Sequence, residues 1–476
     1  MKIKTLLVVL LGIVSCQVVR SQSKQAPNIL LICIDDLRPE LHSFGATYIK
    51  SPNIDKLACQ GRVFLNHYAN SPSCGPSRYT LLTGLYGSSD NDALFERAER
   101  VIDNPKSVPP SMPEWFRNNG YTTVSVGKVS HNPGGLGGAD WNDQNIMEMP
   151  NAWDRHLMPV MEWVHPRGAM HGLANGEIRA NEKGSMDVYQ SFDGPDTSYP
   201  DGYITNVAVE QLVELSSQKK PFFLAVGIVK PHLPFGAPKK YLDLYKNVIL
   251  PPIQHPEKPS WSSTWHSSNE FYQYNVWGKD PNVDNNFADD VRRHYAACVS
   301  YADAQVGIIL AKLKESGADK NTVIVLWGDH GWNLGEHAIW GKHNLFEEGV
   351  RSPLIISYPS LKNKGKKTKA IVETVDVFPT LCDLSGIEKP VFANGESLIT
   401  LLAKPKASGH TVLSYNENGI SIRTERYRFT QLKNGAVELY DHTSKEKESV
   451  NIAPANPDLV TQLTFELNSK IQKSKK

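Results

Sequence analysis

Cys74 and Arg78 stand four residues apart in Ser71-Pro72-Ser73-Cys74-Gly75-Pro76-Ser77-Arg78. Pro76 and Ser77 favour a helix start, and residues i and i+4 share one helix face, so Arg78 can sit above Cys74. A helix N-terminus favours negative charge on its first residues and on a bound anion. On these residues alone, Cys74 reads as an activated thiolate nucleophile or as an ordinary surface cysteine. A second set is Asp35-Asp36 with Asp329-His330. Hard divalent ions such as Ca²⁺ take oxygen ligands, mainly carboxylates. Consecutive side chains on a strand point to opposite faces, so two adjacent aspartates reach one ion only where the strand ends and turns. Their simpler use is to cap that turn. Lys128, His131 and His232 also stand just beyond apolar runs. Taken singly, each is an ordinary surface lysine or loop histidine.

Four short apolar runs must position these groups: Asn28–Ile34, 121–126, Phe222–Ile228 and 322–327. Each reads as a buried strand. The first ends in Asp35-Asp36, the second runs into Lys128 and His131, the third into Lys230-Pro231-His232, and the fourth into Asp329-His330-Gly331. Ligands of open α/β sheets bind beyond the carboxyl ends of the strands, so four such endings point to one convergent site. Amphipathic stretches at 207–216 and 292–315 lie between strands. The expected fold is therefore α/β, a mostly parallel central sheet with helices on both faces. Segments 147–200 and 253–286 are rich in aromatic residues without clear period and read as long excursions over the site. After Gly386 the pattern changes to short antiparallel strands at 420–423, 426–432 and 437–440, with a final helix at 457–471. The expected division is a leader at 1–22, a catalytic domain at 26–385 and a smaller C-terminal α+β subdomain at 386–476.

With 51 basic and 50 acidic residues the net charge is +1. That gives no general attraction to nucleic acid or membrane, so an anionic substrate must be held by local charge. Lys2 and Lys4 before an apolar run read as a secretory signal. Ile13-Val14-Ser15-Cys16 resembles a lipobox, in which Cys16 would carry a lipid anchor; simple cleavage near Ser21 is the alternative. No later segment reads as a membrane span. Cys33, Cys59, Cys298 and Cys382 read as buried free thiols.

Cys74-Gly75-Pro76-Ser77-Arg78 followed by Leu81-Leu82-Thr83-Gly84 resembles the Cys-X-Pro-Ser-Arg signature of type I sulfatases, of the alkaline phosphatase-like superfamily. The likeness extends over 28–36, Ser51-Pro52-Asn53-Ile54-Asp55, 120–131, 328–342 and Glu438-Leu439-Tyr440-Asp441. Asp35-Asp36-Leu37-Arg38-Pro39, Gly127-Lys128-Val129, Lys230-Pro231-His232-Leu233-Pro234-Phe235 and Asp329-His330-Gly331-Trp332 resemble the iduronate-2-sulfatase group and related bacterial uronate 2-O-sulfatases. The resemblance implies that Cys74 is oxidised to formylglycine by a formylglycine-generating or anaerobic sulfatase-maturating enzyme. It implies that Asp35, Asp36, Asp329 and His330 hold Ca²⁺ together with the modified Cys74. It further implies that the hydrated formylglycine attacks sulfur, with Arg78 offsetting charge and Lys128 and Lys342 gripping the sulfate. His232 would protonate the leaving oxygen, and His131 would assist the second hydroxyl, whose deprotonation expels sulfate.

Trp332, His343 and Asp140 resemble sugar-pocket positions. A uronate carboxylate needs a further basic group, for which Arg97, Arg100, His165 and Arg167 are candidates. The expected function is removal of 2-O-sulfate from a uronic acid at the non-reducing end of heparin or heparan-type fragments, in a bacterial periplasm or at its outer membrane. A sulfatase of other regiochemistry, a formylglycine-dependent phosphodiesterase or phosphonate hydrolase, and a glycan-binding lipoprotein with a dead site are the alternatives.

Overall fold

The computed structural model describes residues 26–133, 147–179, 182–261 and 268–474. Its main body is one eight-stranded sheet. Across the sheet the strands are Lys367–Glu373, Arg62–Tyr68, Arg351–Ser357, Thr322–Gly328, Asn28–Ile34, Phe222–Ile228, Thr122–Gly127 and Arg155–Leu157. Among the described residues, Arg351–Ser357 alone runs antiparallel to its neighbours, and the other pairings of this sheet are parallel.

Alternation along each strand builds two cores, because successive side chains leave opposite faces of a sheet. Leu30, Ile32 and Ile34 face one core, with Leu224, Val226 and Ile228 beside them. Ile29, Leu31 and Cys33 face the other, with Phe223 and Ala225. Helices Pro200–Ser216 and Asn285–Glu315 cover the first face through Ile204, Leu212, Val291 and Tyr295. Helices Cys74–Thr83, Met112–Asn118 and Val377–Ser385 cover the second through Leu81, Leu82, Phe116 and Phe378. Burial of each such aliphatic or aromatic side chain contributes about 1.5–3 kcal/mol.

The long helix starts at Asn285, earlier than its apolar pattern suggests. Asp284 caps it, accepting hydrogen bonds from the Asn286 and Phe287 amides at 3.0 Å each. Its first turns already bury Phe287, Ala288 and Val291, but Asn285, Asn286, Asp289 and Asp290 stand among them and dilute the apolar pattern. This helix is also long and apolar enough to cross a membrane, contrary to the expectation that no segment would be, but 67% of its apolar window is buried within the protein.

The C-terminal region is a four-stranded antiparallel sheet, Val412–Tyr415, Gly419–Arg423, Tyr427–Leu432 and Val437–Asp441. Its first strand has no counterpart in the sequence pattern. Helix Pro457–Ser474 packs Leu463 and Leu467 on Leu413, Ile422, Phe429 and Leu439. Asn70 joins the region to the main body, donating to the Leu413 carbonyl and to Glu373, both at 2.7 Å. Cys33, Cys298 and Cys382 are buried free thiols as expected, but Cys59 is exposed. It lies in the last turn of helix Pro52–Gln60, on the side turned to solvent. Residues 1–22, with Cys16, lie outside the described residues.

Candidate active site

Strand register brings the polar endings to one level. Ile34 pairs with both Ile228 and Gly328, and Gly127 pairs with Gly227. Asp35, Asp329 and Lys128 therefore leave the sheet side by side. Their amides continue the ladder, donating to the carbonyls of Ile228, Ile34 and Gly227 at 3.1, 3.3 and 3.0 Å. Strand Arg62–Tyr68 delivers the chain to the same edge, where helix Cys74–Thr83 begins with Cys74 as its first residue. Gly75 is needed there: a Cβ would lie 2.2 Å from the Asn91 carbonyl oxygen.

All the groups at this edge are buried. The Arg78 guanidinium reaches Asp35 and Asp329, each at 3.0 Å, and donates to the carbonyls of Lys128 and Val129. Lys128 pairs with the other oxygen of Asp35. Burial would raise Asp35, but Lys128 and Arg78 outweigh it and hold the carboxyl well below its usual range. Asp329 is pushed well up by burial and by the neighbouring Asp35. Asp36 adopts positive φ (55°). Its Oδ1 lies 2.8 Å from Lys342 Nζ and 3.4 Å from His330 Nε2. Cys74 Sγ is 3.3 Å from His330 Nε2 and accepts from Lys342 at 3.2 Å. Burial pushes the Cys74 thiol well above its usual range, which disfavours a thiolate there.

This donor set fits a divalent cation. Ligand atoms of Asp35, Cys74, Asp329 and His330 lie within 4.8 Å of one another. His330 Nδ1 donates to the Gly331 carbonyl at 2.8 Å, which leaves the Nε2 lone pair facing the carboxylates. Asp36 Oδ2 is buried with no hydrogen-bond partner, the state of a ligand atom aimed at an ion. Oxygen-rich donors suit a hard cation.

Above this floor opens a cavity of about 480 Å³, lined by Cys74, Lys128, His131, His232, Lys342 and His343 among others. Both excursions reach it, the first through Arg167, Met170 and His171, the second through Asn269, Glu270 and Gln273. His232 Nδ1 donates to the Leu233 carbonyl at 2.6 Å, and its Nε2 lies 3.6 Å from Glu270. His131 Nδ1 is buried without a hydrogen-bond partner. Burial and Lys128 hold both imidazoles well below their usual range.

Trp332 does not line the cavity. It is fully buried in the core, edge-on to Phe235, with Lys342 Nζ 5.2 Å from its ring centroid. Asp140 lies outside the described residues. Of the four basic candidates, only Arg167 reaches the cavity. Arg97 is buried on the Pro109 carbonyl, Arg100 is exposed beside Glu96, and His165 caps a helix through the Gly168 amide. Sequence reasoning missed Glu270, which contacts both Lys342 and His232, because no motif or period marks that segment.

The chain belongs to the sulfatase family, whose model matches residues 27–387. It is a sulfuric ester hydrolase of the alkaline phosphatase-like superfamily. A second model, N-sulphoglucosamine sulphohydrolase, C-terminal, matches residues 335–476. A sulfatase of Formosa agariphila is 31% identical, over 94% of this chain and 89% of its own. Iduronate 2-sulfatase of Mus musculus is 33% identical, over 78% and 70%. Among solved structures, the phosphonate monoester hydrolase of Agrobacterium radiobacter superposes with a TM-score of 0.74 at 21% identity, covering 94% of this chain and 96% of its own.

Proposed function

We propose that this sulfatase removes 2-O-sulfate from a saturated or lyase-generated unsaturated uronic acid at the non-reducing end of heparin or heparan-type fragments. Chondroitin-type fragments carry the same group and fall within the reading. The observation that carries it is Cys74 on the floor of a cavity walled by Lys128, Lys342, His131 and His232, with Arg167 on the same wall. The likeness to iduronate 2-sulfatase supports the uronate.

Formylglycine at Cys74 would supply a hydroxyl nucleophile, and Ca²⁺, which Asp35, Asp36, Asp329 and His330 would hold together with the modified Cys74, would offset charge. Lys128 and Lys342 hold the sulfate oxygens as point charges. Arg78 fixes Asp35 and Asp329, the two ligands it bridges. His232 Nε2 delivers a proton to the departing sugar oxygen, an alkoxide that otherwise leaves poorly. His131 takes a proton from the second hydroxyl when sulfate is released. Arg167 pairs with the uronate carboxylate, a fork that suits carboxylate geometry. Residues 26–385 form the catalytic domain and 386–476 the smaller subdomain, and residues 1–22 direct secretion to the periplasm or outer membrane.

The test is turnover of 2-O- against 6-O-sulfated disaccharides by enzyme matured with a formylglycine-generating enzyme, with the Cys74 peptide checked by mass. Preference for 2-O-sulfate is the expected result. A clear 6-O preference overturns the regiochemistry, and faster hydrolysis of a phosphodiester than of any sulfate ester overturns the substrate class.

A further inference from the structure

Glu270 lies on the second excursion, 9% exposed, in the cavity wall. Its two oxygens reach two of the residues assigned to sulfate chemistry. Oε2 is 3.1 Å from Lys342 Nζ, and Oε1 is 3.6 Å from His232 Nε2. A carboxylate in the wall of a cavity that takes an anion weakens binding, because like charges repel. Its presence calls for an offsetting role.

We infer that Glu270 is a positioning residue whose carboxylate faces His232 Nε2 and offsets the positive charge around the ring, so that Nε2 can carry a proton to the leaving oxygen. This rests on the reading of His232 as the general acid. The Leu233 carbonyl already takes the Nδ1 proton at 2.6 Å, so a proton on Nε2 makes the ring cationic. A buried cation needs a counter-charge. The groups around the ring are Lys128, Lys342, Asp35 and Glu270, with the His171 ring 5.3 Å away, centroid to centroid. Burial and the two lysines disfavour the imidazolium, and the two carboxylates favour it. Asp35 is already engaged by Lys128 and Arg78, which leaves Glu270 as the carboxylate within reach of Nε2. In the step, the bond from sulfur to the sugar oxygen breaks and its electron pair goes to that oxygen. His232 Nε2 delivers the proton there, while sulfur gains its new bond from the hydroxyl oxygen at position 74, which enters as the alkoxide. Glu270 gives up and takes up no proton. By also engaging Lys342, it ties the sulfate grip to the proton donor.

The experiment compares the matured parent enzyme with Glu270→Gln, Glu270→Asp and His232→Ala on two esters. One is the sulfated disaccharide that the parent turns over fastest. The other is 4-nitrophenyl sulfate, whose phenolate departs without a proton. Glu270→Gln is expected to lower kcat about 10²-fold more on the sugar ester than on the aryl ester, the span of general acid catalysis, and His232→Ala should show the same ratio. Glu270→Asp, which keeps the charge, is expected to restore part of the loss. An equal loss on both esters, or no loss on the sugar ester, overturns the inference. A 6-O preference of the parent enzyme would overturn the substrate reading above and leave this ratio standing.

Discussion

Arg78 carries more of the site than its place in the motif announces. Helical spacing set it on the same face as Cys74, but its guanidinium is taken by Asp35, Asp329 and the carbonyls of Lys128 and Val129. It thus joins three strand ends to the helix that presents Cys74. Arg78→Ala would leave two buried carboxylates facing each other, and is expected to cost about 3–5 kcal/mol of stability in denaturant unfolding, with activity lost. Arg78→Lys keeps the charge but not the planar fork, and is expected to fall between the two. Asp35, Asp36, Asp329 and His330 were legible because each pair stands directly after an apolar run. Glu270 was not, because its neighbours Asn269 and Phe271 carry no pattern and its partners lie far along the chain.

At the level of elements, two contacts decide how the sheet edge is held. Gly227 packs so closely on the next strand end that a Cβ would lie 2.0 Å from the Lys128 carbonyl. Gly227→Ala must displace Lys128, and is expected to cost about 1–3 kcal/mol and to raise KM for the sulfate ester, measured by thermal unfolding and steady-state kinetics. On the other flank, His410 leads into strand Val412–Tyr415 and pairs with Asp376 at 2.8 Å, with Glu373 at 3.7 Å. Burial would lower its pKa, but Asp376 and Glu373 outweigh that and lift it from 6.5 to about 9. A raised folded-state pKa stabilises fully below the unfolded value and is lost as pH rises through the folded one. The Tm difference between the parent and His410→Gln is therefore expected to be full below pH 6.5 and to shrink as pH rises through about 9.

The whole molecule is a sheet whose strand ends meet a helix start, closed over by two excursions and braced by the C-terminal region. That bracing reaches the site: the Asn416 amide donates to the His343 carbonyl at 3.0 Å, and the His343 amide donates to the Pro72 carbonyl at 3.0 Å. Because the proposed Ca²⁺ ligands come from two strand ends and the helix start, the ion would bind only the folded chain. Chelation is expected to lower Tm, and Ca²⁺ at about 100 times its Kd to restore about 2.7 kcal/mol by linkage. Differential scanning calorimetry with and without chelator reads this, and a Tm indifferent to Ca²⁺ would count against the ion.

The sequence by itself determined the layered fold, the strands with the polar residues at their ends, and the helix start that carries Cys74 and Arg78. Those signals are local: an apolar run has a length, a strand end has a next residue, and Cys74 to Arg78 spans a single helical turn. Tertiary structure alone decided that Trp332 belongs to the core, that Arg167 and not Arg97, Arg100 or His165 reaches the cavity, and that Glu270 joins Lys342 to His232. The placing of Arg167, His165 and Glu270 depends on how two patternless excursions settle over the sheet edge. That settling is governed by packing between residues distant in the chain, which no local spacing encodes.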